Sequence, residues 1–270
     1  MSTDLLSEKY KALTALLAGM GKTAVAFSAG VDSTFLLKAA KDALGHHVIA
    51  LTAQTVAIPA REQDGTEALC RALGVEHVTI PVDLMAVDGF RENPPERCYL
   101  CKKALFTALT AAARERGFGS VIEGSNRDDA GDYRPGLRAL RELGIRSPLR
   151  EAGLTKDEIR TLSRQMGLPT WDKPSNACLA TRIAYGQEIT PEILRTVDAA
   201  ERILSDLGFC QVRVRVHGDL ARMEIPREQF GMLLPDTSDT VQRRLRELGF
   251  RYVTLDLGGF ESGSMNRALK

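Results

Sequence analysis

Short apolar runs alternate with longer stretches of helical spacing through the first half of the chain. Four runs have the length and composition of buried strands, at residues 24–27, 47–52, 75–82 and 120–123. Apolar positions recur at helical spacing before and between them, over residues 4–18, 33–41, 58–73 and 99–116. Strands that alternate with helices of this length predict an α/β fold with a doubly wound parallel sheet.

The pattern changes after about residue 155. A capping box at Thr155 opens a predicted helix that ends near residue 166, and Pro169 and Pro174 then interrupt regular structure. The elements predicted beyond this point are a helix, a hairpin, a helix and a strand, at residues 191–207, 211–217, 221–225, 237–248 and 252–257. We predict two domains, with an α/β domain over residues 1–180 and a small α+β domain over residues 181–270.

Charge and composition exclude several classes of protein. Hydrophobic residues make up 44% of the 270 residues, and 36 Lys and Arg face 35 Asp and Glu, as in an ordinary globular protein. This balance argues against a general nucleic-acid binder, and no apolar run is long enough to span a membrane. The N-terminal stretch carries acids and lacks the apolar core of a signal peptide, so we expect a cytosolic protein whose five cysteines are thiols or ligands.

The stretch SAGVDS, residues 28–33, lies between the first predicted strand and the helix after it. Gly30 allows close approach of a ligand to the backbone, and the hydroxyls of Ser28 and Ser33 can donate hydrogen bonds. Because a helix N-terminus carries partial positive charge, this loop favours a phosphate group. Asp32 is acidic in an anion-binding loop, which fits a ligand of phosphate-bound Mg²⁺. The alternative is a strand-to-helix turn capped by serine.

SAGVDS resembles the SGGxDS signature of the PP-loop ATP pyrophosphatases, with Ala29 in place of the commoner second glycine. The resemblance implies that the stretch, Val31 included, binds ATP and that ATP is cleaved between its α- and β-phosphates. Members of this superfamily transfer AMP to a carbonyl or carboxylate oxygen. The nearby Gly21-Lys22-Thr23 resembles the end of a Walker A motif, but it precedes the strand and lacks the first glycine.

Polar residues dominate residues 125–136, directly after the fourth predicted strand. A solvated surface loop would have this composition. Its place at the carboxyl end of a parallel strand favours a ligand site instead. The run resembles the GxNxDD segment of PP-loop synthetases, which implies that Gly124 and the side chains after it hold the nucleotide and its metal. These side chains are Asn126, Asp128, Asp129 and Arg134.

A cysteine lies at the predicted domain junction, in the segment PSNACLATRIAYGQEIT of residues 174–190. Cys178 alone would fit a small buried apolar residue. Lys173 and Arg182 flank it, and their positive charge would favour the thiolate. A thiolate close to an adenylated substrate is a nucleophile.

The junction segment, together with SAGVDS, GDYRPG and RVRVHGDLARMEI, resembles the LarE family across nearly the whole chain. Members are ATP-dependent sulfur transferases that act on pyridinium-3,5-biscarboxylic acid mononucleotide in synthesis of the nickel-pincer nucleotide cofactor. The resemblance implies that Cys178 displaces AMP from an adenylated carboxylate to form a thioester. The sulfur then leaves with the substrate, and Cys178 becomes dehydroalanine. Family members are commonly homo-oligomers.

A second use of the cysteines stays open. Cys98 and Cys101 form a CxxC at the start of a predicted helix, and with Cys178 they would supply three ligands for a [4Fe–4S] cluster. A three-cysteine variety of the LarE family looks like this, and its cluster would deliver sulfide without loss of Cys178. Zinc and a pair of chance thiols are the alternatives. We expect Cys70 and Cys210 to lie in the core.

Arginines of the second domain are candidates for substrate binding. Arg213 and Arg215 alternate along one predicted strand and share a face, which is also what a charged outer surface of a hairpin would show. The LarE resemblance implies that they bind the phosphate of the mononucleotide, with help from His217, and places Arg182 at the substrate. It also implies that Glu201 and Glu224 lie near a divalent metal, although each would fit a surface carboxylate.

Three other functions compete with sulfur transfer to a small-molecule nucleotide. A tRNA-thiolating enzyme of the PP-loop superfamily would share the loop and the cysteines, but it would need a basic surface. An amide synthetase in which ammonia attacks the adenylate would need no cysteine at position 178. A regulatory nucleotide-binding module would bind ATP without release of pyrophosphate.

Overall fold

The computed structural model of the protein describes residues 3–63, 65–131, 135–174, 177–261 and 264. The chain divides into two compact units. The first comprises Met1–Thr55, Ala60–Leu84 and Cys98–Asn176, and the second comprises Val56–Pro59, Met85–Arg97 and Ala177–Lys270. Two short segments of the N-terminal half thus belong to the second unit.

A parallel sheet of four strands forms the centre of the first unit. Its strands are β1 (Thr23–Ala26), β2 (Val48–Gln54), β3 (Glu76–Pro81) and β4 (Ser120–Ile122). They lie in the order β3-β2-β1-β4, so that β1 pairs with both β2 and β4. The strand order reverses beside β1, which is where ligands of such sheets bind.

Helices precede, separate and follow these four strands in the sequence. They are α1 (Thr3–Ala18), α2 (Val31–Leu44), α3 (Ala60–Gln63), α4 (Thr66–Ala72), α5 (Arg97–Glu115), α6 (Gly136–Glu142), α7 (Pro148–Glu151) and α8 (Lys156–Gln165). Buried apolar side chains of α1, α2 and α8 pack into one cluster with those of β1 and β2. The predicted α/β class with a parallel sheet is confirmed.

One predicted helix, over residues 58–73, is divided into α3 and α4 in the structure. Gly65 precedes α4 with a φ of 85°, which is left-handed backbone that no α-helix continues through. Hydrophobic spacing alone does not reveal such a break, since the apolar positions on either side stay in phase.

The second unit contains a separate sheet of β5 (Arg213–His217), β6 (Leu220–Glu224) and β7 (Tyr252–Leu255). Strands β5 and β6 form the predicted hairpin, and β7 runs parallel to β6. Helices α9 (Pro191–Asp206) and α10 (Pro235–Glu247) complete a small α+β arrangement, as predicted.

Backbone hydrogen bonds hold the two early segments inside the second unit. The N–H of Leu179 donates to the carbonyl of Ala57 at 2.9 Å, and that of Ile189 donates to the carbonyl of Arg91 at 2.7 Å. Strand and helix periodicity carries no signal for contacts of this kind, because both partners lie in irregular backbone.

The capping box predicted at the start of α8 is present. The Thr155 hydroxyl accepts from the Glu158 N–H at 3.4 Å, and the Glu158 carboxylate accepts from the Thr155 N–H at 2.8 Å. The ammonium of Lys9 also binds Glu158, at 2.6 Å and 2.9 Å. These bonds fix the position at which α8 begins.

A chain of hydrogen bonds from β3 through β2 supports the backbone directly after β1, and it begins at His77. The Thr52 hydroxyl donates to the Phe27 carbonyl at 2.8 Å, so Nε2 of His77, 2.8 Å from the same hydroxyl, acts as the donor to it. Burial lowers the pKa of His77 below its ordinary value, and the charge of Glu67 opposes this shift. The folded state therefore disfavours protonation of His77.

We expect the free energy of unfolding to fall as pH drops below about 6.5, the ordinary pKa of histidine. Below that pH the unfolded chain binds a proton that the folded His77 does not, and one such group changes stability by at most ~1.4 kcal/mol per pH unit. Urea unfolding at several pH values should show a weaker pH dependence for His77→Gln, which keeps an N–H donor without titrating. An unchanged dependence would contradict this assignment.

Among the described helices, none combines the length and apolar character needed to cross a membrane.

Candidate active site

The candidate nucleotide site lies at the carboxyl ends of β1 and β4, which are neighbours in the first unit. Residues 27–30 lead from β1 into α2, and Gly30 caps this helix with extended backbone. The first N–H groups of an α-helix have no acceptor within the helix, so this end of α2 can receive an anion. The predicted order of strand, loop and helix is present.

The two serines of the loop contact each other. Their hydroxyl oxygens lie 3.1 Å apart, and the Ser33 hydroxyl accepts from the Ser28 N–H and donates to the Gly30 carbonyl, each at 3.3 Å. Ser33 is buried, whereas Ser28 is exposed. Ser33 thus holds the loop in shape, and Ser28 is the hydroxyl available to a ligand.

Ala29 has a φ of 52°, in the left-handed region that favours glycine. This conformation costs an alanine about 1 kcal/mol, and strain of this kind is concentrated at functional sites. The carbonyl of Ala29 accepts a hydrogen bond at 3.1 Å from the Lys173 ammonium, which also binds Glu62 at 2.9 Å. Lys173 therefore supports the strained turn.

Gly124 allows β4 and α2 to approach closely. A Cβ atom at this position would lie 3.1 Å from the backbone nitrogen of Ser33 and 3.3 Å from the Cβ of Asp32. Any larger residue would push the loop of residues 28–33 outward, so the packing of this loop against β4 requires a glycine here.

Asp32 is the centre of a polar cluster at this edge of the sheet. One carboxylate oxygen accepts from the Asn126 side-chain amide at 3.2 Å, and the other forms an ion pair with the Lys156 ammonium. Magnesium in nucleotide sites takes one or two carboxylates together with phosphate oxygens and water. Asp32 can therefore supply the carboxylate ligand of a magnesium ion bound to the phosphates of a nucleotide.

The acids of the polar run bind backbone rather than one another. Asp129 accepts from the Asn126 N–H at 2.8 Å, and Asp128 accepts from the N–H of Lys156 at 2.8 Å. The Asn126 side-chain oxygen in turn accepts from the Asp128 N–H at 2.9 Å. These bonds shape the loop that presents Asn126 to Asp32. Arg134, the predicted phosphate contact, lies outside the described residues.

Sequence reasoning missed Lys156. It is the first residue of α8, where the helix dipole disfavours a cation. That mismatch is the only sequence signal for it, and it is a weak one. In the structure, the side chain of Lys156 reaches Asp32 from this position, and this ion pair compensates for the unfavourable place of the lysine in the helix.

Cys178 lies in the second unit, half-buried, directly before a short 3-10 helix of Leu179–Arg182. Three donors converge on its backbone carbonyl. They are the Thr181 N–H at 3.0 Å, the Thr181 hydroxyl at 2.7 Å and Nη1 of Arg182 at 3.0 Å. The backbone that carries the thiol is therefore firmly held.

Arg182 is 1% exposed and forms a two-pronged ion pair with Glu201, at 2.7 Å and 2.9 Å. Its remaining Nη1 also donates to the Ala177 carbonyl at 2.7 Å. All three guanidinium nitrogens thus bind protein groups, and Glu201 balances the charge. This geometry makes Arg182 a positioning residue for the Cys178 loop and gives no support to the predicted contact with substrate.

A second buried arginine braces the same loop from the early segment of the second unit. Arg97 donates to the Ala180 carbonyl at 3.2 Å and lies over the Tyr185 ring, 5.4 Å from its centroid. Asn93 donates to the carbonyls of Ile183 and Ala184 at 3.2 Å and 2.7 Å. The backbone within the 3-10 helix and directly after it is thus tied to residues 93–97.

Arg213 and Arg215 are buried, so they are not the solvated face of a hairpin. Arg215 binds Glu224 through two nitrogens, at 3.1 Å and 2.9 Å, and donates to the Thr181 carbonyl at 2.5 Å. Arg213 lies over the Phe260 ring, 5.2 Å from its centroid. Both belong to the same unit as Cys178.

The predicted metal-ligand role of Glu201 and Glu224 gains no support, because both oxygens of each carboxylate accept from a buried arginine. His217 accepts at Nε2 from Arg222 at 3.2 Å. Its pKa is lowered by burial and by the charges of Arg222 and Arg215. His217 is therefore a neutral group beside these arginines.

The other cysteines differ from one another in exposure. Cys98 and Cys101 lie in the first turns of α5, exposed and half-buried respectively. Within the part of the chain that the structure describes, His, Cys, Asp and Glu form no group of three or more that could hold a metal ion. Cys70 is in the core as predicted, and burial raises its pKa to about 12. The prediction for Cys210 is wrong, because it precedes β5 in irregular backbone and is exposed.

Several known proteins are similar to this chain. It is 40% identical, over 98% of its length and 96% of the relative, to pyridinium-3,5-bisthiocarboxylic acid mononucleotide synthase of Lactiplantibacillus plantarum. It is 41% identical to an uncharacterized protein of Synechocystis, over 98% of this chain and 99% of the relative. A distant similarity of 26%, over 91% of the chain and 77% of the relative, links it to one component of the glutamine-hydrolyzing GMP synthase of Thermoplasma acidophilum. No protein-family model matches the chain.

Proposed function

Since the chain belongs to the LarE family, we propose that it transfers sulfur to pyridinium-3,5-biscarboxylic acid mononucleotide, with ATP as the activating substrate. The observation that carries the proposal is the 40% identity, over nearly the full length, to a relative named for making the bisthiocarboxylic acid. The distant likeness to the GMP synthase component agrees with use of ATP at the loop of residues 28–33.

The first step activates a carboxylate. Its oxygen attacks the α-phosphorus of ATP, the bond to the β-phosphate breaks, and pyrophosphate leaves. The N-terminus of α2 and Ser28 would hold the phosphates, and Asp32 would hold a Mg²⁺ ion, which supplies charge neutralisation of the phosphates when bound. The carboxylate oxygen becomes part of AMP, which is a good leaving group.

The second step transfers sulfur. The Cys178 thiolate attacks the acyl carbon and AMP leaves with the electron pair of the broken C–O bond, which yields a thioester. A base then removes the α-proton of residue 178, the Cβ–S bond breaks, and the thiocarboxylate leaves with the sulfur. Residue 178 remains as dehydroalanine. Two chains would thus be needed for each bisthiocarboxylic product.

The substrate's phosphate would be bound by Arg213, since a guanidinium group suits a phosphate. Arg215 binds Glu224 and the Thr181 carbonyl through all three of its nitrogens, so it would position the Cys178 loop as Arg182 does. We also propose a cytosolic homo-oligomer, as in the family. A [4Fe–4S] route through Cys98, Cys101 and Cys178 is the rival to loss of sulfur from the chain. The two routes differ in the mass of the chain after turnover, because only the sacrificial route removes an atom from residue 178.

The test combines product analysis with the intact mass of the chain. With ATP, Mg²⁺ and the dicarboxylate substrate, we expect pyrophosphate, AMP and at most one thiocarboxylate per chain. We also expect the chain to lose the mass of hydrogen sulfide, located at residue 178 by peptide mapping. A reaction without the dicarboxylate is the control and should leave the mass unchanged. Repeated turnover by an iron-containing chain of unchanged mass would contradict the sacrificial route.

A further inference from the structure

Lys173 connects the loop of residues 28–33 to a short linker, residues 171–174, and no step of the proposed chemistry uses it. Its ammonium donates to the Ala29 carbonyl, inside the loop, at 3.1 Å and binds Glu62 at 2.9 Å. The side chains of Lys173 and Glu62 are 28% and 13% exposed, so solvent ions screen this pair less than a fully exposed one. A side chain of the linker is thus fixed to the backbone of the loop.

The backbone of the same linker is held by α8. Arg160 donates from Nη1 to the Trp171 carbonyl at 3.3 Å and from Nη2 to the Lys173 carbonyl at 3.0 Å. The guanidinium group of Arg164, also on α8, lies over the Trp171 ring, 4.9 Å from its centroid. A shift of the linker would therefore break its contacts with α8, with the loop or with both.

Cys178 follows Lys173 by only five residues in the sequence. With so short a segment between them, the position of the linker limits the positions that are open to the thiol. The second step of the proposed function needs this thiol beside the acyl adenylate that forms at the loop. The contacts of the linker therefore bear on the step that follows activation.

Resting on the proposed function, we propose that Lys173 is a positioning residue that couples activation to sulfur transfer. Its bond to the Ala29 carbonyl keeps the linker aligned with the loop, so that the thiol is presented to the adenylate. Without this bond the adenylate still forms, but water attacks its acyl carbon more often than the thiolate does. AMP then leaves, and the carboxylate is regenerated without gain of sulfur.

The experiment follows both steps in single turnovers of the full chain with ATP, Mg²⁺ and the dicarboxylate substrate. Pyrophosphate reports activation and thiocarboxylate reports transfer, so the ratio of thiocarboxylate to pyrophosphate measures the share of adenylates that receive sulfur. For Lys173→Met we expect release of pyrophosphate to stay within about threefold of the wild type. The ratio should fall by about 10- to 100-fold, the effect on a rate of one lost hydrogen bond from a charged group.

Two further variants test how the coupling is made. Lys173→Arg should recover part of the ratio, because a guanidinium group also donates to a carbonyl and binds a carboxylate. Arg160→Met should lower the same ratio, because it frees the linker carbonyls from α8 while Lys173 itself is unchanged. A merely structural defect would instead lower activation and transfer together.

Lys38→Met is the matched control. Lys38 pairs with Asp42 at 2.6 Å on α2, its side chain is 30% exposed, and the proposed chemistry does not use it. This variant should keep the wild-type ratio. Equal losses of pyrophosphate and thiocarboxylate in Lys173→Met, or an unchanged ratio, would overturn the proposal. If the wild type itself forms no pyrophosphate or no thiocarboxylate, the proposed function is wrong and the coupling falls with it.

Discussion

Cys178→Ala is expected to lower thiocarboxylate formation by at least ~1000-fold, because the variant lacks the nucleophile of the second step and the sulfur that is transferred. Release of pyrophosphate should continue for one turnover, since the groups assigned to activation belong to the loop of residues 28–33. The adenylated substrate should then stay bound or hydrolyse slowly. Product formation is measured by mass spectrometry, and pyrophosphate by a coupled assay.

Cys210→Ala is the control for this prediction. Cys210 is an exposed cysteine of the same unit, and it has no part in the proposed chemistry. Its variant should form the product at the wild-type level. If Cys178→Ala still forms thiocarboxylate, the sulfur comes from elsewhere and the mechanism is wrong. Formation of an amide from ammonia by this variant would point to a synthetase.

Arg182→Leu is expected to destabilise the protein by ~3–5 kcal/mol, because it leaves the carboxylate of Glu201 buried without its cation. The Ala177 and Cys178 carbonyls also lose a donor, so any chain that still folds should transfer sulfur slowly. Urea unfolding gives the stability, and single-turnover product formation gives the rate.

Two variants make this result interpretable. Arg195 pairs with Glu192 on α9, and the side chains of this pair are 67% and 71% exposed, so Arg195→Leu should cost at most ~1 kcal/mol. The double variant Arg182→Leu/Glu201→Leu removes both buried charges and should recover much of the stability, but not the rate. A single variant as stable as wild type would contradict the buried ion pair.

The fold and the strand, loop and helix that hold the SAGVDS motif could be predicted because their signals are local. Apolar runs mark β1 to β4, and the SAGVDS motif marks the loop between β1 and α2. The break at Gly65 could not be predicted, since an isolated glycine does not disturb hydrophobic spacing. The residues around Cys178 and the resemblance to the LarE family predict this thiol as the nucleophile.

The supports of the site could not be predicted, because they connect residues that are far apart in the chain. Lys156 meets Asp32 across 124 positions, and Arg97 meets the Ala180 carbonyl across 83. The hydrophobic periodicity of the sequence carries no information about such long-range pairs. The two-pronged pairing of Arg182 with Glu201 could not be predicted from the sequence either, because its partners lie 19 residues apart, in the short 3-10 helix and in α9.

The hydrogen bonds that hold residue 178 in place are made to its main-chain oxygen, so they do not depend on the sulfur atom. On the sacrificial route, a spent molecule would therefore keep the hydrogen bonds that hold this loop, and the side chains assigned to both substrates would be unchanged. Used copies would compete with fresh ones for a scarce dicarboxylate, and the yield of a cell would depend on how quickly it clears or recharges them.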